Sequence, residues 1–203
     1  MFIVVRHGNT FEAGTKPRRI GARTDLPLTQ AGIDQARSLG THFASQGITF
    51  DRVLTSPLTR TRQTAQHVLA QQVAPPQPET ADFLREIDHG PDEDKPEEEV
   101  LARIGSDALA AWEARADAPD GWIVEPQMRT SAWSELLASK VGKSGATLLV
   151  TSNGAARFAL LADPNLRRQA EALDTLKLPS GGYGIIERQA VDDLKLVVWG
   201  RRP

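Results

Sequence analysis

The chain has 203 residues, 40% of them hydrophobic and 25% charged, a composition of an ordinary globule rather than a disordered chain, long enough to bury roughly 70% of the unfolded surface. A formal net charge of −2 supplies no global field for nucleic acid or an anionic membrane, so an anion site must be a local gathering of arginine and backbone N–H. The absence of cysteine excludes disulfides, thiol catalysis and Cys-ligated metals.

The opening MFIVVRHG holds four consecutive apolar residues after Met1. That is too short for a signal-peptide core or a membrane span, and it predicts a cytoplasmic protein with no membrane or nucleic-acid partner. Residues 2 to 5 read as a buried strand, being apolar and rich in β-branched side chains. Residues 9 to 28 form a loop with Gly14, Pro17, Gly21 and Pro27, made basic by Lys16, Arg18, Arg19 and Arg23. Thr29 is placed to cap a helix running to about residue 46, with Ile33, Ala36, Leu39 and Phe43 on one face. A second strand over 50 to 54 ends at Thr55-Ser56-Pro57, and a helix over about 58 to 71 follows.

The stretch VAPPQPE reads as a linker into a third short strand near 81 to 84. Residues 97 to 116 and about 126 to 141 read as helices, the latter with Trp133, Leu136, Leu137 and Val141 placed to pack. Residues 147 to 150 form a strand, and GYGIIERQAVDDLKLVVWG reads as two strands around a turn near Asp192 and Asp193. Strands alternating with helices predict an α/β fold, a mainly parallel sheet covered on both faces in a three-layer α/β/α sandwich.

Ligands of such sheets gather at the carboxyl ends of the strands. Three strand ends are polar here: Arg6-His7-Gly8-Asn9-Thr10, Ser56 to Arg62, and Ser152-Asn153-Gly154. Gly8 lets the backbone behind His7 approach a neighbour closely. A lone histidine after a strand is more often structural, and Arg60 and Arg62 read equally as solvated charges. Converging, however, a histidine and arginines make a phosphate cradle, because guanidinium matches phosphate oxygens bidentately.

The ordered set resembles the histidine phosphatase superfamily, also called phosphoglycerate mutase-like. Val5-Arg6-His7-Gly8 is similar to its RHG signature. Gly21, Asp25, Pro27, Leu28, Thr29 and Gly32 follow its second segment, and Ser56-Pro57-Leu58 with Arg60, Gln63, Thr64 and Ala65 its third. Phe83-Leu84-Arg85-Glu86 resembles the segment that carries its acid. The likeness is dense over residues 2 to 90, thin to about 146, and returns weakly at 147 to 157. It implies one domain over 1–203 with a variable lid or insert at about 87–135.

The resemblance implies that His7 is the nucleophile, forming a phosphohistidine that water hydrolyses. It implies that Arg6 and Arg60 hold the phosphoryl oxygens and that Glu86, with a raised pKa, protonates the leaving oxygen. Asp88 is the nearest rival for the acid and His89 a distant third. Thr10 is a candidate phosphate donor. No metal or cofactor is implied.

The departure lies at the third strand end. Asn153 stands where the resemblance calls for a second histidine, and none of the four histidines lies beyond residue 89. Asn153 keeps a hydrogen-bond donor without the charge, at a cost of about 1–3 kcal/mol; as a plain alternative it caps the next helix. Gly154 beside it is a phosphate-binding candidate through its backbone. From Asp88 to Glu99, seven of twelve residues are acidic, which reads as a solvated helix entrance or as a rim repelling a second phosphate.

The expectation is a metal-independent phosphatase of the superfamily's phosphatase branch, acting on a small phosphomonoester. The alternatives are a weakly active or inactive member that binds a phosphorylated ligand or protein partner and, below that, a phosphoglycerate-type mutase. The edge of the terminal strand pair leaves a homodimer open.

Overall fold

A computed structural model describes residues 1–139, 145–190 and 193–203; Val141 and Asp192, singled out above, lie outside them. Six strands, β1 (Phe2–Arg6), β2 (Phe50–Thr55), β3 (Glu79–Thr80), β4 (Ala146–Thr151), β5 (Tyr183–Ala190) and β6 (Asp193–Arg201), form one sheet in the order β3-β2-β4-β1-β5-β6. The pairs among β3, β2, β4 and β1 are parallel, and β5 and β6 add antiparallel strands beyond β1.

The unbroken apolar run in β1 is explained by burial on both faces. Phe2 and Val4 pack into one core with Leu149, Trp112, Trp133 and Phe158. Ile3 and Val5 point the other way, into a core with Leu148, Val150, Leu39, Phe43 and Val68. The second core is covered by α1 (Gln30–Ser45) and α2 (Thr59–Leu69). The first is covered by α3 (Glu97–Arg115), α4 (Pro126–Ala138) and the short α5 (Asn153–Ala156), α6 (Phe158–Leu161) and α7 (Pro164–Ala170).

Thr29 caps α1 as expected, its Oγ1 accepting from Gly32 N–H at 3.2 Å. The α2 N-terminus lacks a cap of its own; Asp25 of the basic loop supplies one, accepting from Thr59 N–H at 2.8 Å. α3 is broken at Gly105, whose φ of 80° is open to glycine and costly for other residues.

The strand expected at 81 to 84 is instead a 3-10 turn over Asp82–Leu84, and the β3 pairing lies two residues earlier, Glu79 beside Leu54 and Thr80 beside Thr55. The apolar pair Phe83-Leu84 belongs to the core rather than the sheet. Leu84 is fully buried, Phe83 meets Trp133 edge-to-face at 5.3 Å, and the Leu84 carbonyl accepts from Thr151 Oγ1 at 2.6 Å. That turn carries the chain beneath the end of β4, where Glu86 is needed.

Register brings the site together. Arg6 of β1 lies beside Thr151 of β4, and Thr55 of β2 beside Val150, so three strands end level. The chain then leaves each strand still bonded, His7 N–H to the Thr151 carbonyl at 3.0 Å and Ser56 N–H to the Val150 carbonyl at 3.1 Å. Gly8 lies directly on α1: a Cβ there would sit 2.3 Å from the Gly32 carbonyl oxygen. Among the described residues no helix is long and apolar enough to cross a membrane.

Candidate active site

His7 emerges from β1 into the floor of a cavity of about 370 Å³, whose walls include Arg6, Thr10, Glu86, His89, Asn153 and Gly154. Its Nδ1 donates to the Gly8 carbonyl at 2.8 Å, and its Nε2 accepts from Arg60 Nε at 3.2 Å. Both bonds demand the same neutral tautomer, protonated on Nδ1, with the Nε2 lone pair held by Arg60 until a substrate takes that N–H. Burial, then the charges of Arg60 and Arg6, hold the ring's pKa well below 6.5, outweighing the Gly8 carbonyl.

Arg60 is fully buried behind His7, its guanidinium fixed to the carbonyls of Thr24 at 2.7 Å and Gly21 at 3.0 Å. One turn on, Thr64 Oγ1 accepts from Gly8 N–H at 3.1 Å and donates to the Arg60 carbonyl at 2.8 Å. The inward face of α2 thus aims both the histidine turn and the arginine, while Arg62 on the outer face is exposed. Arg6 lines the cavity with one N–H on the Leu178 carbonyl at 2.8 Å.

Glu86 is buried, its carboxylate accepting from Ile87 N–H at 2.9 Å and Gly154 N–H at 3.2 Å. A Cβ on Gly154 would lie 2.3 Å from Glu86 Oε1. Glycine is therefore required there to seat the acid, and the N–H expected to bind phosphate is engaged with Glu86. The raised pKa expected of Glu86 is also corrected. Burial pushes it up, but the charge of His89, the Ile87 N–H, Arg60 and the Gly154 N–H together hold it below 4.5. Asp88 turns away from the cavity, to Arg23 Nε at 3.0 Å and Gly90 N–H at 2.8 Å.

Asn153 does not cap α5; it is that helix's first residue, after Ser152. Its Oδ1 accepts from Leu178 N–H at 3.1 Å, which leaves the amide nitrogen as the donor for the cavity it lines.

The acidic run is in large part the solvated helix entrance, with Glu97, Glu98 and Glu99 in the first turn of α3, and it is not an unopposed repelling rim, because the basic loop pairs with it. Arg18 pairs with Asp94 at 3.0 Å, Arg19 with Glu97, Arg23 with Asp88 and Lys16 with Glu98 at 3.3 Å. Most of these pairs are exposed and individually weak. The buried centre is Glu93. It accepts from Gly21 N–H, Arg23 N–H, Thr24 Oγ1 and His89 N–H, at 2.8 to 3.1 Å. Burial would raise its carboxyl, but the facing His89 ring, the Thr24 hydroxyl and the His89 N–H prevail and set it at about 2.

A depressed carboxyl pKa contributes stability above its ordinary value of 4.5, and that contribution fades as pH falls towards 2. Glu93→Gln is expected to cost on the order of 2–3 kcal/mol at neutral pH. Thermal melts should show the gap between variant and parent closing between about pH 4.5 and 2; a gap independent of pH would contradict this account.

Two contributors escaped the sequence, which offered a third, His89, only as a distant candidate for the acid. Arg129 is buried and its guanidinium donates to the carbonyls of Val124, Phe83 and Arg85, at 2.8, 3.0 and 2.6 Å, clamping the segment that carries Glu86. Arg157 lies fully buried under Trp112, 4.2 Å from the ring centroid, beneath the far wall of the cavity. His89 lines the cavity itself. A single arginine on a helix carries no local mark of burial, so only the fold reveals the first two. Among the described residues no cluster of three or more His, Asp or Glu is placed to hold a metal ion.

Comparison with known proteins gives a family and a fold. The family model for the histidine phosphatase superfamily (branch 1) matches residues 2–200. A 2,3-bisphosphoglycerate-dependent phosphoglycerate mutase of Methylobacterium sp. (strain 4-46) is 35% identical over 120 residues, 59% of this chain and 57% of that protein. A probable phosphoglycerate mutase of Serratia proteamaculans (strain 568) is 48% identical over 63 residues, 31% of this chain and 27% of its own. The chain thus spans at most little more than half the length of these relatives. A mycobacterial glucosyl-3-phosphoglycerate phosphatase superposes with a TM-score of 0.77 at 21% identity, covering 100% of this chain and 99% of that one. A putative alpha-ribazole-5'-P phosphatase from Escherichia coli gives 0.71 at 24% identity, covering 99% and 96%.

Proposed function

The chain belongs to the histidine phosphatase superfamily, and we propose that it hydrolyses a small phosphomonoester, without a metal, through a phosphohistidine on His7. The observation that carries this reading is the His7 tautomer: Nδ1–H is held by the Gly8 carbonyl, which leaves Nε2 unprotonated in a ring that lines one cavity with Glu86. The family and its fold neighbours support chemistry on phosphate esters.

In the first step His7 Nε2 attacks phosphorus, the bond from phosphorus to the ester oxygen breaks, and protonated Glu86 gives that oxygen its proton. In the second, Glu86 takes a proton from water, the hydroxide oxygen bonds to phosphorus, and the bond to Nε2 breaks. Arg6 and Arg60 offset the charge on the equatorial oxygens in both steps, with Thr10 and the Asn153 amide as neutral donors. Asn153, as the stand-in for a second histidine, lowers the rate about ten- to hundredfold without abolishing it.

Hydrolysis is favoured over mutase chemistry, despite the names of the sequence relatives, because a mutase must hold a second phosphate. Beyond Arg6, the cationic walls of the cavity are Arg18, Arg19 and Lys177, paired with Asp94, Glu97 and Glu113. Chelator-treated protein should release phosphate from members of a broad phosphomonoester panel. Silence across the panel sinks the proposal, and bisphosphate-dependent isomerisation of a phosphoglycerate would favour the mutase instead.

A further inference from the structure

His89 has no part in the mechanism above, yet it is buried at 4% exposure in the cavity wall. Packing accounts for part of this: the ring meets Trp122 edge-to-face at 4.5 Å. Packing does not account for its nitrogens. Nδ1 is turned towards Gly21 and Glu93, 3.7 Å from Glu93 Oε2, and has no hydrogen-bond partner among the described residues. A histidine kept only for its shape would leave a buried polar atom unsatisfied at a cost of about 1–3 kcal/mol, which a phenyl ring would avoid.

We propose that His89 is a further catalytic residue of this site, a phosphate ligand whose Nε2 donates a hydrogen bond to a phosphoryl oxygen. The proposal rests on the phosphatase reading for its consequence in turnover, but phosphate binding can be measured without turnover. With Nδ1 facing Glu93, Nε2 is the nitrogen left for the cavity. Glu93 stands behind the ring and Glu86 shares its cavity. Arg19 lies over the Trp122 ring, 5.2 Å from its centroid, and is paired with Glu97. With phosphate in the cavity the ring stands between two anions, Glu93 facing Nδ1 and phosphate facing Nε2, and imidazole can donate from Nε2. The ring N–H then supplies a donor to phosphate beside the Asn153 amide. His89 reaches the pocket from the segment after Glu86 rather than from the end of β4.

The test uses the intact chain and inorganic phosphate. In histidine-labelled protein, phosphate should shift the Nε2 resonance of His89, identified by its loss in His89→Gln. The variant should bind phosphate about tenfold more weakly by calorimetry and lose ten- to hundredfold in kcat/KM. An unmoved His89 resonance on saturation overturns the proposal even if the variant fails to fold. Unchanged phosphate affinity in a folded variant also overturns it. A His89 shift in protein that turns over no ester would uphold the ligand and reject the phosphatase reading; a trapped phosphohistidine with a silent His89 would do the reverse.

Discussion

Replacing His7 by alanine is expected to lower phosphate release on the order of 10⁴-fold or more, since His7 alone is held by Gly8, Arg60 and Thr64 in the arrangement described. The neighbours are specific. Gly8 fixes the proton on Nδ1, Arg60 points at Nε2, and Thr64 anchors the Gly8 N–H. Because burial and the two arginines hold the imidazole pKa well below 6.5, the ring is a neutral nucleophile through the whole neutral range. Rapid quenching of a labelled substrate into alkali should leave label on the parent protein and none on His7→Ala. Label at equal level in both would place the covalent chemistry elsewhere. A matching circular-dichroism spectrum is needed to assign the loss to chemistry, since His7 is also part of the packed turn over α1.

Glu86→Gln is expected to lower kcat by 10²- to 10⁴-fold for alkyl phosphates, the usual span for a positioned acid. For a nitrophenyl ester, whose leaving oxygen needs no proton, the loss should be far smaller. Equal losses on both substrates would mean that Glu86 acts by position or charge and not as an acid. The direction of its pKa adds a second signature. Held below 4.5 in the free site, the carboxyl is ionised and must receive its proton with the substrate, which a phosphomonoester monoanion can bring. The monoanion disappears above the second phosphate pKa, near 6, while the lowered pKa of His7 keeps its ring neutral across the neutral range. The parent's kcat/KM should therefore peak on the acid side of neutrality and fall as pH rises; a maximum above pH 8 would contradict this proton inventory.

The structure also changes what the charged segments mean. Arginines 18, 19 and 23 and the acidic run look like opposed fields when read along the chain, one attracting phosphate and one repelling it. Folded, they face each other and largely cancel, with Glu93 as the buried knot between them. The wall they build lies beside the cavity, and it carries Arg18, Arg19, His89 and Glu97 into the lining.

What the sequence determined by itself was whatever local chemistry dictates. The apolar run at residues 2 to 5 made β1 a strand buried on both faces, Thr29 set the start of α1, and alternating elements set the α/β layering. The polar strand ends located His7, Arg6, Thr10 and Asn153, and the family resemblance added Glu86; the fold gathers these into one cavity, with Arg60 behind it. Phe83-Leu84 misled, because a short apolar run has the same pattern in a strand and in a buried turn. Tertiary structure alone decided the charge state of Glu86, the engagement of the Gly154 N–H, the cancellation of the basic and acidic segments, and the places of Arg129, Arg157 and His89. The reason is physical. Periodicity and capping act over a few residues of chain, whereas burial and electrostatic pairing act through space, between groups brought together only when three strands end level.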